Sequence, residues 1–352
     1  MYYERWNRNK IREQLKYLQS LPSSKIDDKC LEDIEHLKLL LDKNNTFDCF
    51  DVSCSFREQM IDDANSMELY FDFLDDIEIF VDNASIIKKS HYCYVDSYKD
   101  IPVSTLFSFL KEFFHDFDSE FGKAFDRVYA EKRNNLRFNE ERSIQLHIPT
   151  LQYSYISIEK TNTLHDFINA VHEYSHAIAD LICYRDPYST YPFAELVSMF
   201  MELVAADYMM DCYMNMDRDL NSIRINSCKD ILIYADNINI EKTYFYAYDE
   251  IDDRRKVING MKNICGKSTQ YVSRILEKTA MEKLSYTIPY MTAVELYYLY
   301  LKDKKETIHI LKHLMIVERE KNYNDELKKN GIYLNTHSAD WADTLIKRKK
   351  KL

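Results

Sequence analysis

Four glycines are all that this chain of 352 residues contains, and only six prolines accompany them. A β-sandwich or barrel needs a turn signal roughly every 8–12 residues, and most tight turns draw on Gly or Pro. So few breakers exclude an all-β architecture and leave a mainly α-helical chain. They also exclude a phosphate loop. Gly122, Gly260, Gly266 and Gly331 never stand at the spacing of a dinucleotide or nucleoside-triphosphate motif.

Periodicity agrees with a helical reading. Apolar and aromatic residues recur at helical spacing from Arg5 to Leu21, where Pro22 stops the pattern. They recur again from Val103 to Ala130, through Leu106, Phe107, Leu110, Phe113, Phe114, Phe117, Phe121 and Phe125. Such a stripe packs a core far more often than it lines a groove. One segment breaks the pattern: LQYSYISIE, residues 151–159, is rich in Tyr and Ile and alternates in type, which predicts a strand.

The formal net charge of −11 argues against a nucleic-acid partner. The one dense basic run, Lys347 to Lys351, reads as a solvated chain end. No run approaches the roughly 18 apolar residues of a membrane span, and the N-terminal MYYERWNRNKIREQ lacks a signal-like apolar core. Eight cysteines occur without a CxxC pair. A chain this long needs no disulfide framework, so reduced thiols and a cytoplasmic location are expected. With 46% hydrophobic residues the chain can bury a core as one large domain or two closely packed lobes.

The most informative stretch is TLHDFINAVHEYSHAIADLIC, residues 163–183. Thr163 and Asp166 have the spacing of a capping box, and Leu164, Phe167, Ile168, Val171, Ser175, Ile178 and Ile182 form an inward face. Within it His172-Glu173-Tyr174-Ser175-His176 is an HExxH pattern. Imidazoles four residues apart leave the same side of a helix and can reach one ion. Glu173 is turned by about 100° from His172, where it can reach water at the ion without ligating it. The helix is expected to end near Tyr184, before Asp186-Pro187, and a second helix to begin around Ser189 to Pro192. That helix carries Glu195, Ser198 and Glu202 on one face, and Glu195 can return as a third ligand. A hydrolytic zinc site takes three protein ligands and keeps one position open. The competing reading is a hydrogen-bonded histidine pair in a helical core with Glu195 in an ordinary salt bridge. His309 and His313 share the i, i+4 spacing but have Ile310 where a base would stand, so they read as a helix face.

The segments SYISIEKTNTLHDFINAVHEYSHAIADL and FAELVSMFMEL resemble the core of the thimet oligopeptidase and oligoendopeptidase F family of zinc metallopeptidases. The resemblance implies a mainly α, two-lobed, gluzincin-like metallopeptidase with a small β element beside the active-site helix. It implies an N-terminal helical region over 1–140 and a zinc-peptidase region over 141–352. Glu195 would be the third zinc ligand, with Ser198 and Glu202 in its surroundings. The strand Tyr153–Glu159 would be the edge that pairs with an extended peptide substrate. Further along, Ile288-Pro289-Tyr290 and the tyrosines 297, 298 and 300 resemble the family's segment facing the zinc. Tyr290 and Tyr298 are the candidates to stabilise an oxyanion. The chain departs from the family in carrying Ser175 where it has Gly, Tyr290 where it has His, and in being much shorter. Asp180, one turn after His176, is a candidate partner for a ligating imidazole, the alternative being a solvated aspartate.

Two other functions stay open at this point. A zinc carboxypeptidase of similar helical fold would need a cation for the substrate C-terminus, for which Arg185 and Arg274 are possible. A non-catalytic peptide-binding protein retaining the metal would have no use for Glu173. The oligomeric state is not legible.

Overall fold

The computed structural model describes residues 6–42, 56–95, 102–139, 143–183, 193–212, 216–247, 253–316 and 323–351. Helices dominate, as the scarcity of breakers demands, and a single three-stranded sheet accompanies them among the described residues. No described helix is long and apolar enough to cross a membrane. Residue contacts divide the chain into two units. One draws on 1–52, 95–190 and 204–209, the other on 53–94, 191–203 and 210–352, so the helix Leu196–Cys212 contributes to both.

In the first unit the aromatic stripe folds as two helices, Val103–Phe117 and Ser119–Ala130, rather than one. Asp118 makes the break. Its backbone is extended, and its carboxylate accepts from the N–H groups of Glu120 and Phe121, capping the second helix. The stripe itself is core: Phe113, Phe114, Phe121 and Phe125 are buried, with Phe114 and Phe125 stacked at 5.4 Å. The first helix runs Arg8–Gln19, capped by the Asn7 side chain. Arg5 lies outside the described residues.

The sheet comprises β1 (Leu136–Asn139), β2 (Ile144–Ile148) and β3 (Tyr153–Glu159) in the order β1-β3-β2, with β1 parallel and β2 antiparallel to β3. The alternating segment is thus a strand, but it is not an edge. Both its sides are taken, by Leu136–Asn139 and by Ile144–Ile148, and among the described strands the outer places belong to β1 and β2. The burial of Tyr155, Ile156, Ser157 and Ile158 fits this central rank. β1 lies at the very end of the region 1–140 that the resemblance gives as helical. Trp6 fastens the sheet by donating its indole N–H to the carbonyl of Ile156 at 3.1 Å, while the Arg137 guanidinium lies 4.0 Å over the Trp6 ring.

In the second unit, Met60, Tyr244, Val257, Met261, Val272 and Ile275 form one apolar cluster. Gly260 belongs to the helix Arg254–Cys265, and a Cβ there would stand 2.5 Å from Cε2 of the buried Tyr244 ring. Gly260→Ala is therefore expected to destabilise the protein. Overpacking costs about 1–3 kcal/mol, only partly offset by about 1 kcal/mol of helix propensity. The fall in urea midpoint should be reversed by adding Tyr244→Leu, and a rise with the single variant would refute this packing account.

Candidate metal centre

The motif helix spans His165–Cys183. Its start is more elaborate than the expected box. Thr163 Oγ1 accepts from His165 N at 3.1 Å, and the Asp166 carboxylate reaches back to the N–H and hydroxyl of Thr161, each at 2.6 Å, and to Asn162 N. Asn162 adopts the left-handed conformation, φ 56°, that turns β3 into the helix. The predicted helix end at Tyr184, Arg185, the Asp186-Pro187 turn and the predicted start at Ser189–Pro192 lie outside the described residues.

His172 and His176 stand one turn apart with their Nε2 atoms at 3.1 Å. Two ligand nitrogens on a tetrahedral zinc, each about 2.0–2.1 Å from the ion, lie roughly 3.3 Å apart. The observed separation is close to that edge. Between them Glu173 is 4% exposed. Ser175, where the resembled family has Gly, is fully buried and turns its hydroxyl onto the Val171 carbonyl at 2.6 Å, so its polar group is satisfied within the helix.

Glu195 closes a short 3₁₀ turn, Phe193–Glu195, directly before the helix Leu196–Cys212. The Ser198 hydroxyl lies 2.9 Å from the Glu195 carbonyl and 3.3 Å from its Oε2, which restrains the carboxylate. Each of His172, His176 and Glu195 is half-buried and offers one ligand atom, and the three atoms lie within 4.8 Å of one another. No other such group of three occurs among the described residues. His313 instead pairs with Glu326 at 3.2 Å. Two imidazoles and a carboxylate are the donor set of a hydrolytic zinc centre, so the residues fit the ion that the motif implies.

Asp180 is buried and turned toward the sheet. Its Oδ2 accepts from Gln145 Nε2 at 2.9 Å and lies 3.9 Å from His147 Nδ1, which is itself 2.9 Å from Ser154 Oγ. Burial lowers the His147 pKa and favours the neutral ring. This cluster on β2 and β3 had no signal in the sequence beyond the polar residues that alternate along the strands.

The tyrosine segment lies in the helix Ala280–Lys302, with Pro289 in its interior. Tyr290 is 3% exposed, and its hydroxyl accepts from the Trp341 indole at 3.2 Å. Burial, with Cys228 beside it, pushes the phenol well above its ordinary range. Tyr298 is half-buried and stacks on the His337 imidazole, centroids 4.5 Å apart and planes 9° from parallel. Glu295 holds that imidazole, Nδ1 to Oε2 at 2.6 Å, and also accepts from the His337 N–H. Sequence reasoning missed His337, which lies 39 residues beyond Tyr298 and belongs to no motif.

Solved structures share this fold. A protein from Bacillus anthracis named as an oligoendopeptidase F superposes with a TM-score of 0.54 at 12% identity, over 90% of this chain and 58% of that one. PZ peptidase A, solved with an inhibitor, gives a TM-score of 0.57 at 11% identity, over 91% and 61%. A Chlamydophila abortus protein named as a peptidase gives 0.55 at 11% identity, over 81% and 55%. The chain thus has the fold of these peptidases while spanning less than two thirds of their length. No protein-family profile and no curated protein matches the sequence.

Proposed function

We propose that the protein is a zinc-dependent peptidase that hydrolyses peptide bonds in oligopeptides, with His172, His176 and Glu195 as metal ligands and Glu173 as general base. The observation that carries this reading is the convergence of ligand atoms from His172, His176 and Glu195, the two histidines standing on the helix that also carries the buried Glu173. The shared fold with structures named as peptidases adds to it. Bound there, zinc supplies Lewis acidity toward water and the scissile carbonyl; manganese or cobalt would suit the same donors less specifically. Glu173 takes the proton of the attacking water and returns it to the leaving amine. Ser198 holds Glu195 to one orientation, and Glu202, further along the same helix, belongs to the surroundings of the ion in this reading. Asp180 acts from further back, tying the motif helix to β2. The oxyanion donor in this reading is Tyr298, half-buried, in preference to Tyr290, which is buried and already bonded to Trp341.

The test is hydrolysis of a fluorogenic peptide library by the metal-replete protein, with and without chelator. Cleavage that chelator abolishes and zinc restores is expected, and no cleavage of any member would reject the enzymatic reading. Glu195→Ala should drop metal content well below one ion per chain by elemental analysis. Ser198→Ala should weaken metal affinity by about 10–100-fold in chelator competition. Full metal content in the Glu195 variant would remove that carboxylate from the ligand set.

A further inference from the structure

The first unit contains a half-open cavity of about 350 Å³, within the roughly 300–1,000 Å³ of ordinary small-molecule pockets. It lies among the helix Arg8–Gln19, the end of the helix Ser119–Ala130, the start of β3 and the last turn of the motif helix. Its wall combines opposite charges. Lys10 and Arg127 provide cations, and Glu131 provides a carboxylate. Leu151 and Leu181 give it an apolar side.

Two amides in the wall are short of a donor. Asn135, 2% exposed, uses its Nδ2 on the Val128 carbonyl, and its buried Oδ1 has no partner. Gln152 uses its Nε2 on the Pro149 carbonyl at 2.9 Å, and its buried Oε1 has none either. A buried acceptor left unmatched is costly, and a small rotation of either amide toward a ligand N–H would relieve it. Gln152 is also held at φ 47°, ψ 50°, a left-handed conformation that a non-glycine residue seldom adopts. The lining thus supplies two cations, a carboxylate whose Oε2 already accepts from the Asn134 amide at 2.9 Å, two amides and two leucines, a set that suits an occupant carrying both charges and an apolar group.

We propose that this cavity binds a small zwitterion with an apolar side chain, an amino acid or a dipeptide. Its carboxylate pairs with Arg127 and Lys10, and its ammonium with Glu131 and the amide oxygens. The inference stands on the cavity itself; only the choice of the Glu173→Gln background, which keeps the peptide intact during titration, rests on the peptidase reading.

The experiment is calorimetric titration of Leu-Leu, N-acetyl-Leu-Leu and Leu-Leu-amide into the full chain carrying Glu173→Gln, which prevents cleavage. The same titrations are repeated with Arg127→Ala or Glu131→Gln added, two substitutions at the rim of the cavity. Leu-Leu should bind, and blocking either end should weaken it by about tenfold. Arg127→Ala should weaken Leu-Leu to a similar degree and have little further effect on the amide, because both changes remove the same ion pair. Glu131→Gln should behave likewise toward the N-acetyl form. Titration with free leucine distinguishes an amino-acid site from a dipeptide site. Absence of binding at millimolar Leu-Leu overturns the proposal, as does binding that neither substitution changes, which would place the ligand elsewhere on the protein.

Discussion

Glu173→Gln is expected to lower kcat for peptide cleavage by about 10²–10⁴-fold while metal content stays at one ion per chain. Gln keeps the shape of Glu and its capacity to accept a hydrogen bond, but it cannot take up a proton near neutral pH. Glu173 is adjacent in sequence to His172, yet helical rotation separates the two side chains, and the group of converging ligand atoms does not include it. Its loss should therefore spare the ion. In free-energy terms the expected fall is about 3–5 kcal/mol of transition-state stabilisation. KM should move little, because the change acts on proton transfer rather than on peptide binding. Metal analysis and steady-state kinetics on the same preparation decide the matter. Retained metal with activity within a few-fold of the parent protein would assign the base elsewhere, whereas lost metal would make Glu173 part of the ligand set.

The parts of this centre that sequence could reveal are those set by helical period. His172, Glu173 and His176 take their relative directions from 3.6 residues per turn, so their spacing already states their geometry. Glu195 was legible one step less directly, as an acid on the following helix, and it stands in the 3₁₀ turn Phe193–Glu195 directly before that helix. The strand 153–159 showed in its Tyr and Ile alternation, but its central rank did not. That rank depends on β1 and β2, whose sequences LRFN and IQLHI are short and partly polar. Arg137 on β1 is 3% exposed because Ser157 and the Trp6 ring receive its guanidinium, and Trp6 is 131 residues distant in the chain. Asp118 interrupts an aromatic period that runs on unbroken across it, so periodicity alone fuses two helices into one. In each case the missing information is a tertiary partner.

Replacing Lys283 by Met should destabilise the second unit by about 3–5 kcal/mol, the usual cost of removing one partner from a buried ion pair. Lys283 is 1% exposed, and its Nζ lies 2.5 Å from Oε1 of Glu241, which is fully buried. Asp63, equally buried, accepts from the N–H of Ala280 at 2.7 Å. Oδ2 of Asp63 and Oε2 of Glu241 have no hydrogen-bond partner. Two acids thus share one base away from water. Burial raises Asp63 from 3.8 to about 6 and Glu241 from 4.5 to about 7, against the opposing pull of the ammonium. Because both carboxyl groups titrate higher in the folded protein than in the unfolded chain, the unfolded chain releases protons first as pH rises. Stability from these two groups is therefore greatest below about pH 4 and declines between about pH 4 and pH 7. Without the ammonium both carboxyls should titrate higher still, so the decline in Lys283→Met should extend above pH 7. Urea unfolding at several pH values measures both effects. Adding Glu241→Leu should recover much of the lost stability, since the penalty lies in stranding a carboxyl group rather than in losing the pair itself. A Lys283→Met protein as stable as its parent at pH 7.5, with the same pH slope, would show that the ammonium does not hold the two acids in place.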